Sequence, residues 1–479
     1  MYFLILISKV YAGFIFLQLY INILVKEVMR VQGELHKRYG LFTAITMVVG
    51  IVIGSGVFFK AEKVLNATGG NLPLGILAWA IGGLIMIVCA YSFSLLAGKY
   101  EKVNGIVDYA DEALGSKYGY YVGWFMTMIY YPAITSVLAW VSARYTCVLF
   151  GFDIAGGEAM ALAGFYLILS FGINALSPII AGKFQVATTV IKLIPLFLMA
   201  VIGTVVGLKT GMTMENFTTV VEEVSTSQAL FTAVVATAFA YEGWIVATSI
   251  NSELKDSKKN LPKALILGTL IVVSAYILYY VGLAGGISNE VMMSGGETAA
   301  KMAFEKIFSS AGGTILFVFV VISCLGTLNG LMLGCTRGMY SIAARNRGPA
   351  PKVFSQIDKT TNMPNNSSVF ALILCAFWLL YFYGANLTES WFGPVVFDSS
   401  ELPIVTIYAL YIPIFIMIIK KEKQLNPFNR YVMPILSILG CIFMMIAAVF
   451  SHGIAVAWYL LVFAVIMICG CFFSKGKKE

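Results

Sequence analysis

The chain has 479 residues, of which 59% are hydrophobic and only 12% are charged, and its mean hydropathy is +0.86. Soluble domains carry about 25% charged residues, so this composition excludes an ordinary soluble protein. The formal net charge of +8 would suggest nucleic acid as a partner in a soluble protein, but here the basic residues lie in short loops. We therefore expect no nucleic acid partner and a chain that crosses the lipid bilayer many times.

Residues 1–25 form a first apolar stretch without a basic start or a small-residue cleavage site, so a signal peptide is a poor interpretation. The stretch is either an additional span or an artefact of the chosen start, since Met29 precedes a more ordinary cytoplasmic lead-in. We favour the artefact and assign no function to this N-terminal extension, residues 1–30.

Twelve apolar segments follow, each long enough to cross the roughly 30 Å of hydrocarbon in a bilayer as a helix. Their predicted bounds are 41–66, 73–97, 119–149, 158–177, 184–208, 229–252, 263–286, 311–342, 368–384, 399–419, 431–450 and 454–472. We therefore predict an all-α polytopic membrane protein.

The basic residues are concentrated in every second loop along the chain. Of the 32 Lys and Arg, 24 lie in one set of alternate segments: 26–40, 98–118, 178–183, 253–263, 337–367, 420–430 and 473–479. The opposite loops, with the outer half of the first span, contain Lys60, Lys63, Lys209, Lys301 and Lys306. The positive-inside rule therefore predicts a cytoplasmic C-terminus in a multi-pass protein of the plasma or inner cell membrane.

Two spans carry helix-breaking residues in their middles. The first contains Gly54-Ser55-Gly56, and the sixth contains an aromatic, acidic and glycine stretch from Phe239 to Trp244. These spans begin successive blocks of five, 41–208 and 229–419, and because five is odd the second block enters the membrane from the opposite side. Interrupted helices at matching positions of an inverted repeat indicate a transporter's binding site. We therefore predict one transporter domain over 31–479, with two further spans in 431–472.

The first break suits a zwitterionic ligand. If the helix unwinds there, free backbone N–H groups and the positive end of the resumed helix would face a carboxylate, while the carbonyls ending the first half-helix would face an ammonium. Such a pair matches the α-carboxyl and α-amino groups of an amino acid. The spacing Gly50-x-x-x-Gly54 also fits a close-packing motif of membrane helices, and that interpretation stays open.

Two ionisable residues are predicted to lie deep in the bilayer, where a carboxylate costs about 2.5–3.5 kcal/mol on insertion scales. Glu242 in the sixth span either binds a substrate ammonium, binds a basic side chain or carries a proton, or it forms a local ion pair or caps the broken helix. Lys192 lies about nine residues, or roughly 13 Å, inside its span. It either ties a neighbouring helix end or acts as a built-in cation in place of a coupling ion, and these two roles are compatible.

The sequence contains few residues or motifs that are typical of catalysis or metal binding. No P-loop, zinc-ligand spacing or nucleophile elbow occurs, and the two histidines, His36 and His452, fall in connecting segments. We therefore expect no cofactor, no metal and no enzymatic activity. The eight cysteines all lie in apolar segments, which predicts buried thiols and no disulfides.

The motifs "VGIVIGSGVF", "FAYEGW" and "SELKDSKKNLPKA", in this order and spacing, resemble the amino acid–polyamine–organocation (APC) superfamily. Within it the chain looks most like the L-type amino acid transporters and the bacterial serine/threonine exchangers. The resemblance runs from about Tyr39 to the last span. It implies a LeuT-type fold, with ten helices in a 5+5 inverted repeat plus two C-terminal helices, and alternating access around a central site.

The resemblance also implies roles for single residues. Ser55 and Gly56 match positions that receive the substrate carboxylate. Val52 and Phe239 match positions whose carbonyls take the α-amine, and Phe239 also matches an aromatic gate. Lys192 matches a lysine that replaces a bound sodium in sodium-independent members. With their neighbours, the predicted substrate-binding residues are Val52, Ile53, Gly54, Ser55, Gly56, Phe239, Ala240, Tyr241, Glu242 and Gly243.

Three departures limit the resemblance. Glu242 falls where large-neutral transporters often have glycine or serine and where some cystine and basic amino acid exchangers have aspartate. Leu331 stands where the serine/threonine exchangers have lysine. The loop 151–157 lacks the cysteine through which animal members join a single-span glycoprotein, so no disulfide-linked partner is expected.

We therefore expect a sodium-independent exchanger of small or neutral L-amino acids. The first alternative is a proton-coupled amino acid or polyamine permease that uses Glu242. A nutrient sensor is disfavoured because the longest cytoplasmic loop has only about 30 residues. An intramembrane enzyme is disfavoured because the sequence lacks a nucleophile–base pair.

Overall fold

The computed structural model describes residues 37–54, 56–100, 105–154, 156–295, 299–386, 388, 391–399 and 401–474. The predicted N-terminal extension, Ser55 and the end of the basic C-terminal tail lie outside these residues. The division of the chain into an extension and a transporter domain stays a prediction.

The described chain is built from helices. The α-helices, in chain order, are α1 (Leu41–Val52), α2 (Gly56–Ala67), α3 (Leu72–Ala97), α4 (Gly105–Leu114), α5 (Ser116–Phe125), α6 (Tyr131–Phe150), α7 (Gly157–Leu176), α8 (Pro178–Leu198), α9 (Thr204–Thr210), α10 (Met212–Thr218), α11 (Thr226–Ala240), α12 (Ser257–Leu283), α13 (Asn289–Ser294), α14 (Ala299–Ala343), α15 (Pro351–Phe354), α16 (Asn365–Asn386), α17 (Leu402–Lys421), α18 (Met433–His452) and α19 (Ala455–Phe472). Short π-helical segments join or extend some of them, at Met126–Tyr130, Met199–Gly203 and Phe428–Val432. A 3-10 helix, Trp244–Glu253, follows α11 after a turn.

Ten continuous stretches of the described chain are long and apolar enough to cross a membrane. They are Leu72–Ala97, Ser116–Cys147, Gly157–Leu176, Pro178–Thr210, Ser257–Leu283, Val318–Ala343, Asn365–Ala385, Leu402–Lys421, Phe428–Phe450 and Ala455–Phe472. They correspond to ten of the twelve predicted spans. The other two, the first and the sixth, are each divided into shorter helices, as their helix-breaking residues predict. The all-α polytopic fold class is confirmed.

Spans at corresponding positions of the two five-span blocks pack against each other. The two halves of the first span, α1 and α2, contact the 3-10 helix and α11 of the sixth. Likewise, α3 packs along α12, and α6 packs along α14. Each pair joins spans five positions apart, which is the pairing expected of the 5+5 inverted repeat in the LeuT-type fold.

The first half-helix, α1, lies at the centre of the bundle. It packs against α8, α12, α14 and the 3-10 helix, and every residue from Thr46 to Val52 is buried. A broken helix at this position can expose backbone groups only to other protein atoms or to an internal cavity, which is where irregular backbone is tolerated in a membrane protein.

The last helix, α19, lies at the periphery. Only 11% of its apolar window is buried; it packs against α5 and α18, and its Tyr459 hydroxyl lies 2.7 Å from Thr406 Oγ1 of α17. Cys469 and Cys471 on this helix are exposed, so the expectation of buried cysteines was wrong for these two. The reason is that a helix with few neighbours presents most of its side chains to lipid.

Candidate functional site

The first interrupted span leaves helical geometry directly after Val52. Ile53 has φ −72° and ψ 90°, and α2 begins at Gly56. A Cβ at Gly54 would lie 3.1 Å from Thr327 Oγ1, and one at Gly56 would lie 3.1 Å from Ala240 Cα. The glycines therefore allow the break to approach α14 and α11 closely.

The second break lies across from the first. After α11 ends at Ala240, Gly243 adopts φ +105°, a left-handed conformation that favours glycine. A Cβ at Gly243 would lie 2.9 Å from Ile51 Cγ2, so α1 contacts this turn directly. Tyr241 does not line the space between the breaks, because its hydroxyl donates to the carbonyl of Trp79 at 3.0 Å and its ring packs edge-on against that indole.

One tyrosine joins the two breaks. The hydroxyl of Tyr276 in α12 lies 2.9 Å from the carbonyl oxygen of Val52 and 3.0 Å from that of Ala240. These carbonyls end α1 and α11, where helix ends leave acceptors without intrahelical partners. Tyr276 is fully buried. It therefore fixes the spacing of the two chain breaks from behind.

Lys192 of α8 binds the end of α1. Its Nζ donates to the carbonyl oxygens of Gly50 at 2.7 Å and Ile53 at 2.6 Å, and it lies 3.2 Å from Thr327 Oγ1. The side chain is 0% exposed. The C-terminal end of a helix carries partial negative charge, so an ammonium there is electrostatically favoured. The ammonium thus has three oxygen neighbours and fills the position at which the first half-helix stops.

Glu242 lies in the second break and is buried. Its Oε1 accepts a hydrogen bond from the hydroxyl of Tyr130 at 2.7 Å, and Tyr408 also approaches the carboxylate. Its Oε2 has no hydrogen-bond partner of standard geometry among the described residues. A buried carboxylate with one unsatisfied oxygen is costly unless a proton or ligand reaches it.

A cavity of about 30 Å³ separates the two breaks. Its lining includes seven of the predicted site residues: Val52, Gly54, Gly56, Phe239, Ala240, Glu242 and Gly243. The remaining lining is mainly apolar: Ile51, Ile134, Leu138, Thr327, Leu331 and Ile404. Of the other predicted residues, Ile53 directs its carbonyl to Lys192, Tyr241 contacts Trp79, and Ser55 lies outside the described residues. The structure therefore brings most of the predicted site together around one small space.

An ionic cluster covers one side of this cavity. Lys60 of α2 lies 3.1 Å from Glu401, the residue before α17, and its ammonium lies 5.2 Å from the centre of the Phe239 ring. His452, at the end of α18, places Nε2 2.8 Å from the other Glu401 oxygen. Phe239 and Ile404 line both the central cavity and a smaller one that Glu401 and His452 also line.

The charges of this cluster reinforce each other. The hydrogen bond to Glu401 raises the pKa of His452 above its usual value. Burial alone would raise the pKa of Glu401, but the hydrogen bond from His452 and the charge of Lys60 outweigh it and lower that pKa to about 2. Glu401 therefore stays ionised, and the cluster holds three elements together above Phe239.

A second set of ionic contacts lies at the other end of the 3-10 helix and α14. Arg337 of α14 forms a fully buried ion pair with Glu253, the last residue of the 3-10 helix. The backbone N–H groups of Arg38 and Tyr39 donate to the carbonyl of Glu253 at 2.7 and 3.0 Å. Nearer the surface, Arg345 pairs with carboxylates of α4. These contacts tie the end of the 3-10 helix to the lead-in of α1 and to α14, and α14 to α4.

Asn329, a polar residue of α14, bonds between helices. Its amide nitrogen donates to Gln185 Oε1 at 3.0 Å, and its oxygen accepts from Asn174 at 2.9 Å. Asn329 therefore links α14 to α7 and α8, and it is not among the residues that line the cavity.

Sequence reasoning missed Tyr276, Thr327 and the cluster of Lys60, Glu401 and His452. Tyr276 and Thr327 are ordinary residues for an apolar helix, and nothing in their spacing marks the carbonyls that they contact. His452 was assigned to a connecting segment, whereas it ends α18. The sequence did offer one signal for this cluster. Lys60, Glu401 and His452 are ionisable residues near three span ends on the same predicted side of the membrane.

Comparison with known proteins places the chain in a family. A family model described as amino acid permease matches residues 39–473. The serine/threonine exchanger SteT of Bacillus subtilis is 30% identical over 418 residues, which covers 86% of this chain and 91% of the exchanger. The aspartate-proton symporter of the same bacterium is 26% identical, and the match covers 93% of this chain and 85% of the symporter. The mouse b(0,+)-type amino acid transporter 1 is 25% identical, covering 82% and 83%.

Proposed function

The chain belongs to the amino acid permease family of the APC superfamily and is an amino acid transporter, and from that premise we propose that it exchanges small or neutral L-amino acids without sodium. The bilayer is its environment and an amino acid its substrate. The proposal extends to a cytoplasmic C-terminus in the plasma or inner membrane, and to the absence of a disulfide-linked glycoprotein.

The observation that carries sodium independence is the binding of Lys192 to the end of α1. Its ammonium already neutralises the carbonyls of Gly50 and Ile53. A sodium ion would need those same oxygens, because hard cations in proteins are bound by carbonyl and carboxylate oxygen. A sodium ion would have to displace an ammonium that is covalently part of the protein, so its binding there would be weak. Transport therefore takes no energy from a sodium gradient.

The substrate pose follows from the two breaks. The carboxylate lies against the N-terminal end of α2, at Ser55 and Gly56, where the first N–H groups have no intrahelical partner. The ammonium lies near the carbonyls of Val52 and Phe239. Tyr276 and the N–H of Glu242 already donate to these two oxygens, but a carbonyl has two lone pairs and can accept again.

The lining indicates small neutral side chains. The bulky apolar residues Ile134, Leu138, Leu331 and Ile404 border the cavity. Apart from Thr327 and Glu242 the side chains of this wall are apolar, so a basic substrate side chain would find few polar partners there. The closely related exchanger of serine and threonine agrees with this size class.

The proposal is tested in proteoliposomes that contain the purified protein. Uptake of labelled Ser, Thr, Ala, Leu and Arg is measured with and without internal amino acid, sodium and a pH gradient. We expect uptake of the small neutral substrates only when the lumen contains amino acid. Uptake that needs no internal substrate contradicts exchange, and failure to take up any of the five contradicts the proposed substrate class.

A second candidate is supported by the unsatisfied Oε2 of Glu242. A proton or a second substrate amine at that oxygen would make the protein a proton-coupled amino acid or polyamine permease. Glu242→Gln decides between the two, with Glu290→Gln, an exposed residue of α13, as the control. A neutral exchanger keeps most of its rate in the Glu242→Gln variant, whereas a proton-coupled permease loses accumulation driven by the pH gradient.

A further inference from the structure

A small second cavity lies between the central cavity and the cluster of Lys60, Glu401 and His452. Its volume is about 20 Å³, and Glu401 and His452 are among its lining residues. Phe239 and Ile404 line both cavities, so these two side chains separate them. A route from this end of the bundle to the central cavity therefore leads past the cluster. We call this end the His452 side, and the proposed orientation of the chain makes it external.

The contact between Lys60 and Glu401 joins two parts of the bundle that pack on different neighbours. Lys60 belongs to α2, which packs mainly on α11, whereas Glu401 directly precedes α17, which packs mainly on α18. Within the described chain, the backbones of α2 and α17 have no extended contact with each other. The 3.1 Å ion pair is therefore a tie that must break before α2 can move away from α17.

His452 binds the same carboxylate as Lys60. Its Nε2 lies 2.8 Å from one oxygen of Glu401, and Lys60 Nζ lies 3.1 Å from the other. Because α17 and α18 pack along each other, His452 stays beside Glu401 when α2 moves. Each cation is attracted to the shared carboxylate, but the two cations repel each other. Accordingly, Glu401 raises the pKa of His452, Asp398 also raises it, and Lys60 lowers it.

The helices packed against α18 contribute little further charge at this end. Within their bounds α3, α11 and α19 contain no Asp, Glu, Lys or Arg. The charged residues of α17 and of the π-helical segment before α18 are Lys420, Lys421 and Arg430, all at the opposite end of the bundle. Tyr408 of α17 lines the small cavity together with His452. The charged groups that act on His452 within the described chain are Glu401, Asp398 and Lys60.

We propose that His452 is a proton sensor: when protonated, it competes with Lys60 for Glu401 and thereby loosens the tie between α2 and α17. The sign follows from linkage between proton binding and opening. In the closed form Lys60 lies close to His452, and in a form where α2 has moved away it does not, so the histidine binds its proton more tightly in the open form. Acid on the His452 side therefore favours opening on that side. The inference rests on the chain being a transporter and not on exchange or sodium independence.

The repulsion between the two cations sets the size of the effect. Two unit charges about 7 Å apart change an equilibrium by about threefold in water and by more where they are partly buried. We therefore expect protonation of His452 to raise the ratio of open to closed protein at least about threefold. Because Glu401 raises the pKa of His452 above 6.5, the response is centred above that pH.

The direct test measures the separation of α2 from α18 without any substrate. Spin labels are attached at Lys63→Cys in α2 and Ile454→Cys just after α18, two exposed positions near this end. Cys469→Ser/Cys471→Ser removes the exposed native thiols. Electron–electron double resonance in nanodiscs, from about pH 5.5 to about pH 9, should show at least about threefold more of the separated form in acid. His36→Gln changes the only other histidine of the sequence and should keep the response.

Two opposite variants keep the test decisive. His452→Gln removes the titratable charge, so its distances should stay at the alkaline distribution at every pH. His452→Arg carries a permanent charge and should show the acidic distribution at every pH. Either variant tests the proposal if the other fails to fold. A wild type that does not respond to pH overturns the proposal, and so does a His452→Gln variant that responds as the wild type does.

A transport assay then tests the sidedness of the sensor. In proteoliposomes with a determined protein orientation, the pH is changed on one side at a time and KM for labelled serine is measured from the His452 side. Apparent affinity rises with the fraction of protein that is open to that side, so KM should fall about threefold in acid there.

The same KM should not respond to the pH of the opposite side, and a response to that side would contradict a sensor at this location. Absence of serine transport would contradict the proposed substrate class and not the sensor, which the spin labels test without substrate.

Discussion

The two interrupted spans both place a buried charge beside broken backbone, but they satisfy that charge differently. The ammonium of Lys192 has three oxygen neighbours within 3.2 Å. The carboxylate of Glu242 has a hydrogen bond to one oxygen and none of standard geometry to the other within the described chain. A saturated charge is a fixed part of the architecture, whereas an unsaturated one can still bind a proton or a ligand.

This difference suggests that the two breaks have different roles in the proposed site. The first break is bound by Lys192, and in the proposed binding mode it faces the α-carboxyl and α-amino groups that every amino acid substrate shares. The second break retains an unbonded carboxylate oxygen among the described residues, and in the proposed binding mode it faces the part that differs between substrates. Four substitutions, ordered from the largest expected effect to the smallest, test whether this contrast is real.

Removal of the Lys192 ammonium should have the largest effect. Lys192→Met keeps the length of the side chain but leaves the carbonyls of Gly50 and Ile53 only the hydroxyls of Thr327 and, for Ile53, Ser323 as side-chain partners. An unsatisfied buried acceptor costs about 1–3 kcal/mol, so two would cost about 2–6 kcal/mol, and because hydroxyl donors remain we expect a loss in unfolding free energy near the lower end of that range. We expect uptake to fall at least about a hundredfold.

Thermal unfolding and uptake of Lys192→Met are compared with those of Lys209→Met, which changes an exposed lysine at the end of α9. If Lys192→Met transports as fast as the wild type, the ammonium is not the fixed element of the first break.

Crowding of the first break should have the next largest effect. Gly56→Ala would place a methyl group 3.1 Å from Ala240 Cα, and backbone cannot yield as a side-chain tip can. We expect uptake about ten- to hundredfold slower, because displacement of catalytic or binding geometry by about 1 Å has effects of this size. Initial rates measure it. Gly98→Ala is the control, since its nearest neighbour would lie at 3.5 Å, and an equal loss there would contradict the explanation.

Loss of the link between the breaks should have a moderate effect. Tyr276→Phe deletes the hydroxyl that bonds Val52 and Ala240, which predicts a loss of about 1–3 kcal/mol in stability and a severalfold slower uptake. Tyr279→Phe is the matched control. It removes the same hydroxyl group from the same helix, but the buried Tyr279 hydroxyl has no hydrogen-bond partner among the described residues. Melting curves of the two variants should therefore differ, and coincident curves would contradict the bridging role.

Loss of the ion pair between His452 and Glu401 should give the smallest effect. Among the four substitutions, His452→Gln is the only one whose effect we expect to depend on pH. The pKa of His452 is raised in the folded protein by Glu401, so the stabilisation is complete below about pH 6.5, the unfolded value, and is lost as pH rises through the raised value. Lys60 and Asp398 also act on this histidine, with opposite signs. Glu401 remains ionised throughout this range.

We therefore expect His452→Gln to lower the melting temperature at mildly acidic pH and to have little effect at alkaline pH. Thermal scans of both proteins across this range measure the difference. A gap between wild type and variant that widens as the pH rises has the wrong sign and would contradict the ion pair.

The sequence predicts the parts of this structure that depend on local composition. Apolar length predicts the spans, glycine and charge in the middle of a span predict the breaks, and the depth of Lys192 predicts that oxygen atoms surround it. Residue pairing across helices is different. Tyr276 lies 224 positions from Val52, and Lys60 lies 341 positions from Glu401. A one-dimensional pattern shows that a helix is apolar but not which face meets which neighbour.

The same limit explains why two of the predicted site residues do not line the cavity. Tyr241 and Ile53 belong to the broken stretches by sequence, yet the direction in which a residue leaves a broken helix depends on its backbone angles. Tyr241 contacts Trp79, and the Ile53 carbonyl contacts Lys192. Their neighbours Val52, Gly54 and Glu242 line the cavity.

The most direct test of the central claim is the sodium dependence of the wild-type protein. Initial rates of exchange of labelled serine or alanine are measured in proteoliposomes loaded with amino acid, with external sodium replaced completely by choline. Because the ammonium of Lys192 already binds the carbonyls of the first break, the account predicts equal rates in the two media. A rate that falls about tenfold or more without sodium would show that a free cation binds during transport, and it would contradict the role given to Lys192.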